Sequence, residues 1–130
     1  MGDHEIIRFQ LGDIIFEYDK AKNIINKQKH GISFKHAARV FFDYDRIELY
    51  DKENSIDKDR YNTIGDLSAG TINISAKDTI IGNVGTDSVL FVVYTERIPD
   101  TSSSKDSSII RIISARYATN FERGLYYGKF

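Results

Sequence analysis

The apolar run from Ile14 to Tyr18 has strand character, and Asp19 directly after it is a good helix N-cap. A helix is predicted from about Lys20 to His30, ended by Gly31 in the left-handed conformation. Its apolar stripe is narrow, comprising Ala21, Ile24 and Ile25, so these three should turn inward while most of the helix faces water. Ser33 caps a second helix through about Phe42, in which Phe34, Ala37, Ala38 and Phe41 recur at helical spacing and should enter the core. Beyond it the period changes to two. Strands are predicted at Arg46 to Tyr50, Tyr61 to Ile64, Val89 to Glu96 and Ile109 to Ala115. Thr119 and Glu122 form a capping box for a closing helix that carries Phe121, Leu125, Tyr126 and Tyr127.

Two stretches interrupt this order. Between Asp66 and Ser88 the chain is rich in Gly, Ser, Thr and Asn, with Ile72, Ile74, Ile80 and Ile81 as weak strand signals, and it reads as an extra hairpin or an irregular loop. Pro99 opens a polar loop to Ser108 whose Ser-rich composition predicts flexibility. The layout is α+β: an antiparallel sheet with two N-terminal helices and a C-terminal helix, in one domain spanning all 130 residues.

Composition narrows the chemistry. With no cysteine, disulfides, thiolate zinc sites and thiol catalysis are excluded, which fits a reducing cytoplasm. Residues 1–13 carry acids and no long apolar run, so neither a secretory signal nor a membrane span is expected. The net charge of −1 hides a segregation. From Lys20 to Phe42 there are six cations, two histidines and no acid; from Asp43 to Asp59 there are seven acids against three cations. Such asymmetry suggests one surface for an anionic partner and another for a basic one, although a solvated helix followed by a solvated loop accounts for it equally well.

Two separated motifs then carry a family resemblance. The first is Phe16-Glu17-Tyr18-Asp19 with Lys22, Asn23 and Asn26, followed by Lys29-His30-Gly31-Ile32-Ser33-Phe34, Ala37-Ala38, Val40-Phe41 and Asp43. The second is Leu90-Phe91-Val92-Val93-Tyr94-Thr95-Glu96-Arg97 and Ile110-Arg111-Ile112-Ile113-Ser114-Ala115-Arg116, then Ala118, Glu122-Arg123 and Tyr126. Together they resemble the BrnT family over about two thirds of the chain, in the right order. The resemblance implies a RelE-like fold, endoribonuclease activity that arrests growth, and a BrnA-like antitoxin with a ribbon-helix-helix domain, through which DNA would be contacted indirectly. Relative to that family the segment at about 66–79 looks inserted, the hairpin loop at about 99–108 is lengthened, and His36 stands where an acid is common.

Metal-independent RNA cleavage needs the 2′-hydroxyl deprotonated, the charged phosphorane stabilised and the 5′-oxygen protonated. Arg97 and Arg116 end adjacent strands and could offer two guanidinium forks to one phosphate, or sit in surface salt bridges. Tyr126 could stack on a base or donate a proton, or pack in the core with its hydroxyl at the surface. These three are the catalytic candidates. Arg111 alternates away from Arg116 and ranks lower; Glu96 is a possible base on the face opposite Arg97; Glu122 is already explained by the capping box. Lys22, Lys27, Lys29, His30 and Arg60 are the candidates for holding RNA, with His30 also able to serve as a helix C-terminal cap. His4, His30 and His36 lack metal-ligand spacing, so neither a metal nor a cofactor is expected. The alternative to an enzyme is a degenerate binding module that acts only in a toxin-antitoxin transcriptional complex.

Overall fold

The computed structural model describes residues 5–74, 88–97 and 108–128. Six strands, β1 (Ile6–Leu11), β2 (Ile14–Asp19), β3 (Ile47–Tyr50), β4 (Tyr61–Asp66), β5 (Val89–Arg97) and β6 (Ile109–Tyr117), form one sheet in the order β1-β2-β6-β5-β4-β3. Among the described residues four α-helices accompany it: α1 (Lys20–His30), α2 (Phe34–Ala37), α3 (Leu67–Ile74) and α4 (Asn120–Tyr127). The α+β reading therefore holds. All neighbours are antiparallel except β2 and β6, which run parallel, so the sheet is mixed rather than wholly antiparallel.

Local chemistry sets the helix ends. Asp19 accepts hydrogen bonds from the backbone N–H groups of Ala21 and Lys22 at 2.9 and 3.1 Å, and Gly31 closes α1 at φ 76°. Ser33 caps α2, but the predicted second helix is short: after Ala37 the chain tightens into a 3-10 helix from Ala38 to Phe42. Phe34, Ala37, Ala38 and Phe41 are buried as their spacing requires, and with Val40 they pack on Phe16, Tyr18, Leu90, Val92, Tyr94 and Ile112 of the sheet. The Thr119–Glu122 capping box opens α4, whose Leu125 and Tyr126 cover a smaller cluster of Ile64, Val89 and Ala118.

The strand β1, the helix α3 and the orientation of α1 also depart from the sequence reading. Residues 67–74 are helical rather than a hairpin or loop, because α3 packs against the 3-10 helix so closely that a Cβ on Gly70 would overlap the carbonyl oxygen of Arg39. Tertiary contact overrides the poor helix propensity of its Ser, Gly, Thr and Asn. The strand signals at Ile80 and Ile81, the rest of the 66–79 segment beyond Ile74, the Pro99 loop up to residue 107, and His4 lie outside the described residues.

The orientation of α1 is a further correction. Ile24 and Ile25 are 50% and 59% exposed, Ala21 is exposed as well, and Asn26 is the buried residue of the helix. The cause is an open strand edge. The pairing of β2 with β6 covers only Ile109 to Arg111, so the backbone of Ala115 has no strand partner on that side. The Asn26 amide replaces one: its Nδ2 donates to the Ala115 carbonyl at 2.8 Å, and its Oδ1 accepts from the Ala115 N–H at 3.2 Å. Asn23 Oδ1 likewise accepts from the Phe34 N–H at 2.8 Å. Satisfying these backbone groups turns the asparagine face inward and the isoleucines out.

Candidate functional site

Strand alternation places Phe16 and Tyr18 in the helix-covered core and Glu17 on the opposite face of the sheet. Register then assembles its partners: Arg8 is opposite Glu17 on β1, Arg111 is opposite it on β6, and Arg97 reaches it from the end of β5. Arg8 Nη2 donates to Glu17 Oε1 at 2.9 Å, Arg97 Nε to Oε2 at 2.9 Å and Nη2 to Oε1 at 3.1 Å, and Arg111 Nη2 to Oε2 at 2.6 Å. Burial alone would raise the carboxyl pKa, but the hydrogen bonds from Arg97, Arg8 and Arg111, with the Arg111 charge, bring it down to about 2. The Glu17 side chain is fully buried, whereas those of Arg8, Arg97 and Arg111 are 55%, 36% and 32% exposed. One buried anion thus orients three guanidiniums that still reach solvent.

Arg111 joins this group because of a bulge. The β5–β6 register shifts between Val93 and Tyr94, which pair with Ser114 and Ile112 and leave Ile113 as the extra residue. Arg111 and Arg116 therefore pair with Thr95 and Phe91, four residues apart on β5, and share a face instead of alternating away from each other. The same register keeps Arg97 and Arg116 apart. Arg97 pairs with Ile109 and Arg116 with Phe91, six residues down β5, a separation of about 20 Å along the strand. In an antiparallel hairpin the end of the first strand meets the start of the second, so these two strand ends lie at opposite ends of the pair.

A cavity of about 460 Å³ opens beside Arg111, lined with it by Lys22 of α1, Asp57, Lys58 and Arg60 from the β3–β4 connection, Thr95 and Ile113. Lys58 and Thr95 also line a second cavity at the end of β5, beside Tyr61, Glu96 and Arg97. Lys22 and Ile113 continue into a narrower groove with Ile25, Lys29 and His30. Of the residues expected to hold RNA, Lys22, Arg60, Lys29 and His30 therefore line connected hollows; Lys27 is exposed on α1 and lines none of them.

Arg116 and Tyr126 belong to the other end of the sheet. Arg116 makes a two-pronged bridge to Glu122, Nη1 to Oε1 at 2.8 Å and Nη2 to Oε2 at 3.0 Å, and lies 4.3 Å from the centre of the Phe91 ring. The Tyr126 hydroxyl donates to Asp43 Oδ2 at 2.6 Å; burial, then that acceptor, push its pKa well above the usual tyrosine range. Asp43 is 1% exposed and also accepts from the N–H groups of Asp45 and Asp66. It joins the 3-10 helix, β4 and α4, and drops out of the acidic surface that the sequence suggested. Asp57 of the acidic stretch and Lys22 of the basic one meet at the same cavity.

Residues 18–76 match the family model described as the ribonuclease toxin BrnT of type II toxin-antitoxin systems. Over that segment the chain is similar to the BrnT family. No curated protein matches it. The BrnT match takes in Lys22, Lys27, Lys29, His30 and Arg60, while Arg97, Arg111, Arg116 and Tyr126 lie beyond it. Glu17 falls just before the matched segment, and in the sequence it stands out only as one residue of the Phe16-Glu17-Tyr18-Asp19 motif. An acid between two aromatic core positions of an inner strand was the available signal, because a buried charge requires partners. Among the described residues, no group of three or more His, Asp or Glu side chains is placed to hold a metal ion, and no helix is long and apolar enough to cross a membrane.

Proposed function

We propose that this BrnT-like chain is a metal-independent endoribonuclease that cleaves RNA by attack of a 2′-hydroxyl, arrests growth, and is neutralised by a BrnA-like antitoxin that also links the complex to DNA. The observation that supports it is the pair of partly exposed guanidiniums held by buried Glu17: Arg111 lines a cavity flanked by Lys22, Lys58 and Arg60, and Arg97 lines the neighbouring one, which shares Lys58 and Thr95 with it. Three guanidiniums against one carboxylate leave the cluster around Glu17 with an excess of two positive charges. Fixed, partly desolvated donors suit the extra negative charge of a pentavalent phosphate, since they need no reorganisation as that charge develops. Lys22 and Arg60 hold flanking phosphates. Glu96, on the rim that Arg97 shares, takes the 2′-hydroxyl proton. The 2′-oxygen bonds to phosphorus, the bond to the 5′-oxygen breaks, and the departing oxygen takes up a proton from solvent, leaving a 2′,3′-cyclic phosphate. In this reading Arg97 remains from the sequence-derived set, Arg111 takes the place of Arg116, and Tyr126 serves the framework.

The test is incubation of the purified protein with single-stranded RNA in excess EDTA, followed by analysis of the new ends. Cyclic phosphate ends, lost in Arg111→Ala and kept in Arg116→Ala, are expected. Intact RNA in every arm, with tight antitoxin binding, would instead identify a binding module.

A further inference from the structure

We propose that the groove between α1 and β6 is the seat of an acidic, amphipathic segment of the antitoxin, with Ile25 as the anchor point; this rests on the toxin-antitoxin reading of the family. The starting observation is the reversal of α1. Ile24 and Ile25, which a helix of this kind would ordinarily bury, are 50% and 59% exposed, and the asparagine contacts to Ala115 and Phe34 fix them there. Ile25 does not stand alone, because it forms a groove of about 190 Å³ with Ile113 of β6. Lys22, Lys29 and His30 rim that groove, and the stretch from residue 20 to 42 contains no acid.

An aliphatic floor inside a cationic rim selects its occupant. A nucleobase gains most from an aromatic or guanidinium platform; of these the groove has only the His30 imidazole among its lining residues, beside the two aliphatic side chains of Ile25 and Ile113. A peptide carrying a branched apolar side chain flanked by carboxylates matches both features, the apolar group on Ile25 and Ile113 and the acids on the lysines. The groove also shares Lys22 and Ile113 with the arginine cavity. A segment seated here occupies the lysine that the RNA reading uses, so docking and exclusion of RNA are coupled through one side chain.

The experiment uses the full chain purified with its co-expressed antitoxin. Ile25→Asp places a like charge against the acidic segment and removes the apolar contact without touching the arginine group. The expected result is a loss of antitoxin affinity of about thirtyfold or more, typical of a buried interface anchor, with the circular dichroism spectrum and the affinity for an RNA oligonucleotide in EDTA unchanged. Ile25→Ser, which adds no charge, should show a smaller loss in the same direction and guards against misfolding of the aspartate variant. Antitoxin affinity within threefold of the parent in both variants overturns the proposal. So does weakened RNA binding with the antitoxin unaffected, or a parent dimer that becomes monomeric in Ile25→Asp; these outcomes assign the groove to RNA or to a second copy. If the parent cleaves no RNA yet Ile25→Asp releases the antitoxin, the groove assignment stands while the ribonuclease reading falls.

Discussion

Replacing Glu17 by glutamine tests whether one buried carboxylate organises the site. The substitution keeps the shape and removes the charge that Arg8, Arg97 and Arg111 share. A carboxyl pKa that falls from an ordinary 4.5 to about 2 on folding corresponds to about 3 kcal/mol at neutral pH. Leaving the partners of a buried ion unpaired costs about 3 to 5 kcal/mol, but these guanidiniums are 32% to 55% exposed, which favours the lower figure. Because the folded-state pKa is the lower one, the contribution is complete above about pH 5 and is lost as pH falls towards 2. Urea unfolding of the parent and Glu17→Gln should therefore differ by about 3 kcal/mol at pH 7 and by about 1 kcal/mol at pH 3. The corresponding fall in Tm at pH 7 is about 10 °C. A difference below about 1 kcal/mol at pH 7, or one that is the same at both pH values, would refute the reasoning.

Arg111→Ala should lower the RNA cleavage rate by about a hundredfold or more, as expected for loss of a fixed electrostatic donor, while Arg116→Ala stays within a fewfold; single-turnover rates compare the two. Tyr126→Phe removes the donor to Asp43 and should cost about 1 to 2 kcal/mol in urea unfolding while leaving cleavage per folded molecule unchanged. Gly70→Ala forces a methyl into the Arg39 carbonyl and should destabilise by about 3 kcal/mol, read as a lowered Tm.

What was legible in the sequence follows from the range of the interaction concerned. The bounds of α1, its caps at Asp19 and Gly31, the Ser33 cap and the Thr119–Glu122 box depend on residues within a turn of one another, and all are present. The strands β2 to β6 showed through their period. β1 is harder to read: Ile7, Phe9 and Leu11 alternate with Arg8 and Gln10, but Ile6 blurs the pattern on an edge strand. The helix at 67–74 could not be read locally, because its stability comes from contact with a distant carbonyl. The site shows the same division. Lys22 and Arg60 were recognisable as cations near a motif, and the structure brings both to one cavity. Pairing Arg97 with Arg111 rather than Arg116 required the β5–β6 register and its extra residue, neither of which alternation on a single strand reveals. Glu17 was visible, but its weight became clear only when three strands delivered their arginines to it.

The asparagine clamp on Ala115 has a consequence for assembly. Beyond Arg111, the β2-facing side of β6 is a stretch of strand edge in the middle of the sheet, and such an edge will accept any extended segment offered to it. Asn26 occupies the Ala115 position of that edge with a side chain, so no foreign strand can pair there without first displacing α1. The amide of one helical side chain thus stands where a strand would otherwise pair, and this part of the sheet ends on its own helix.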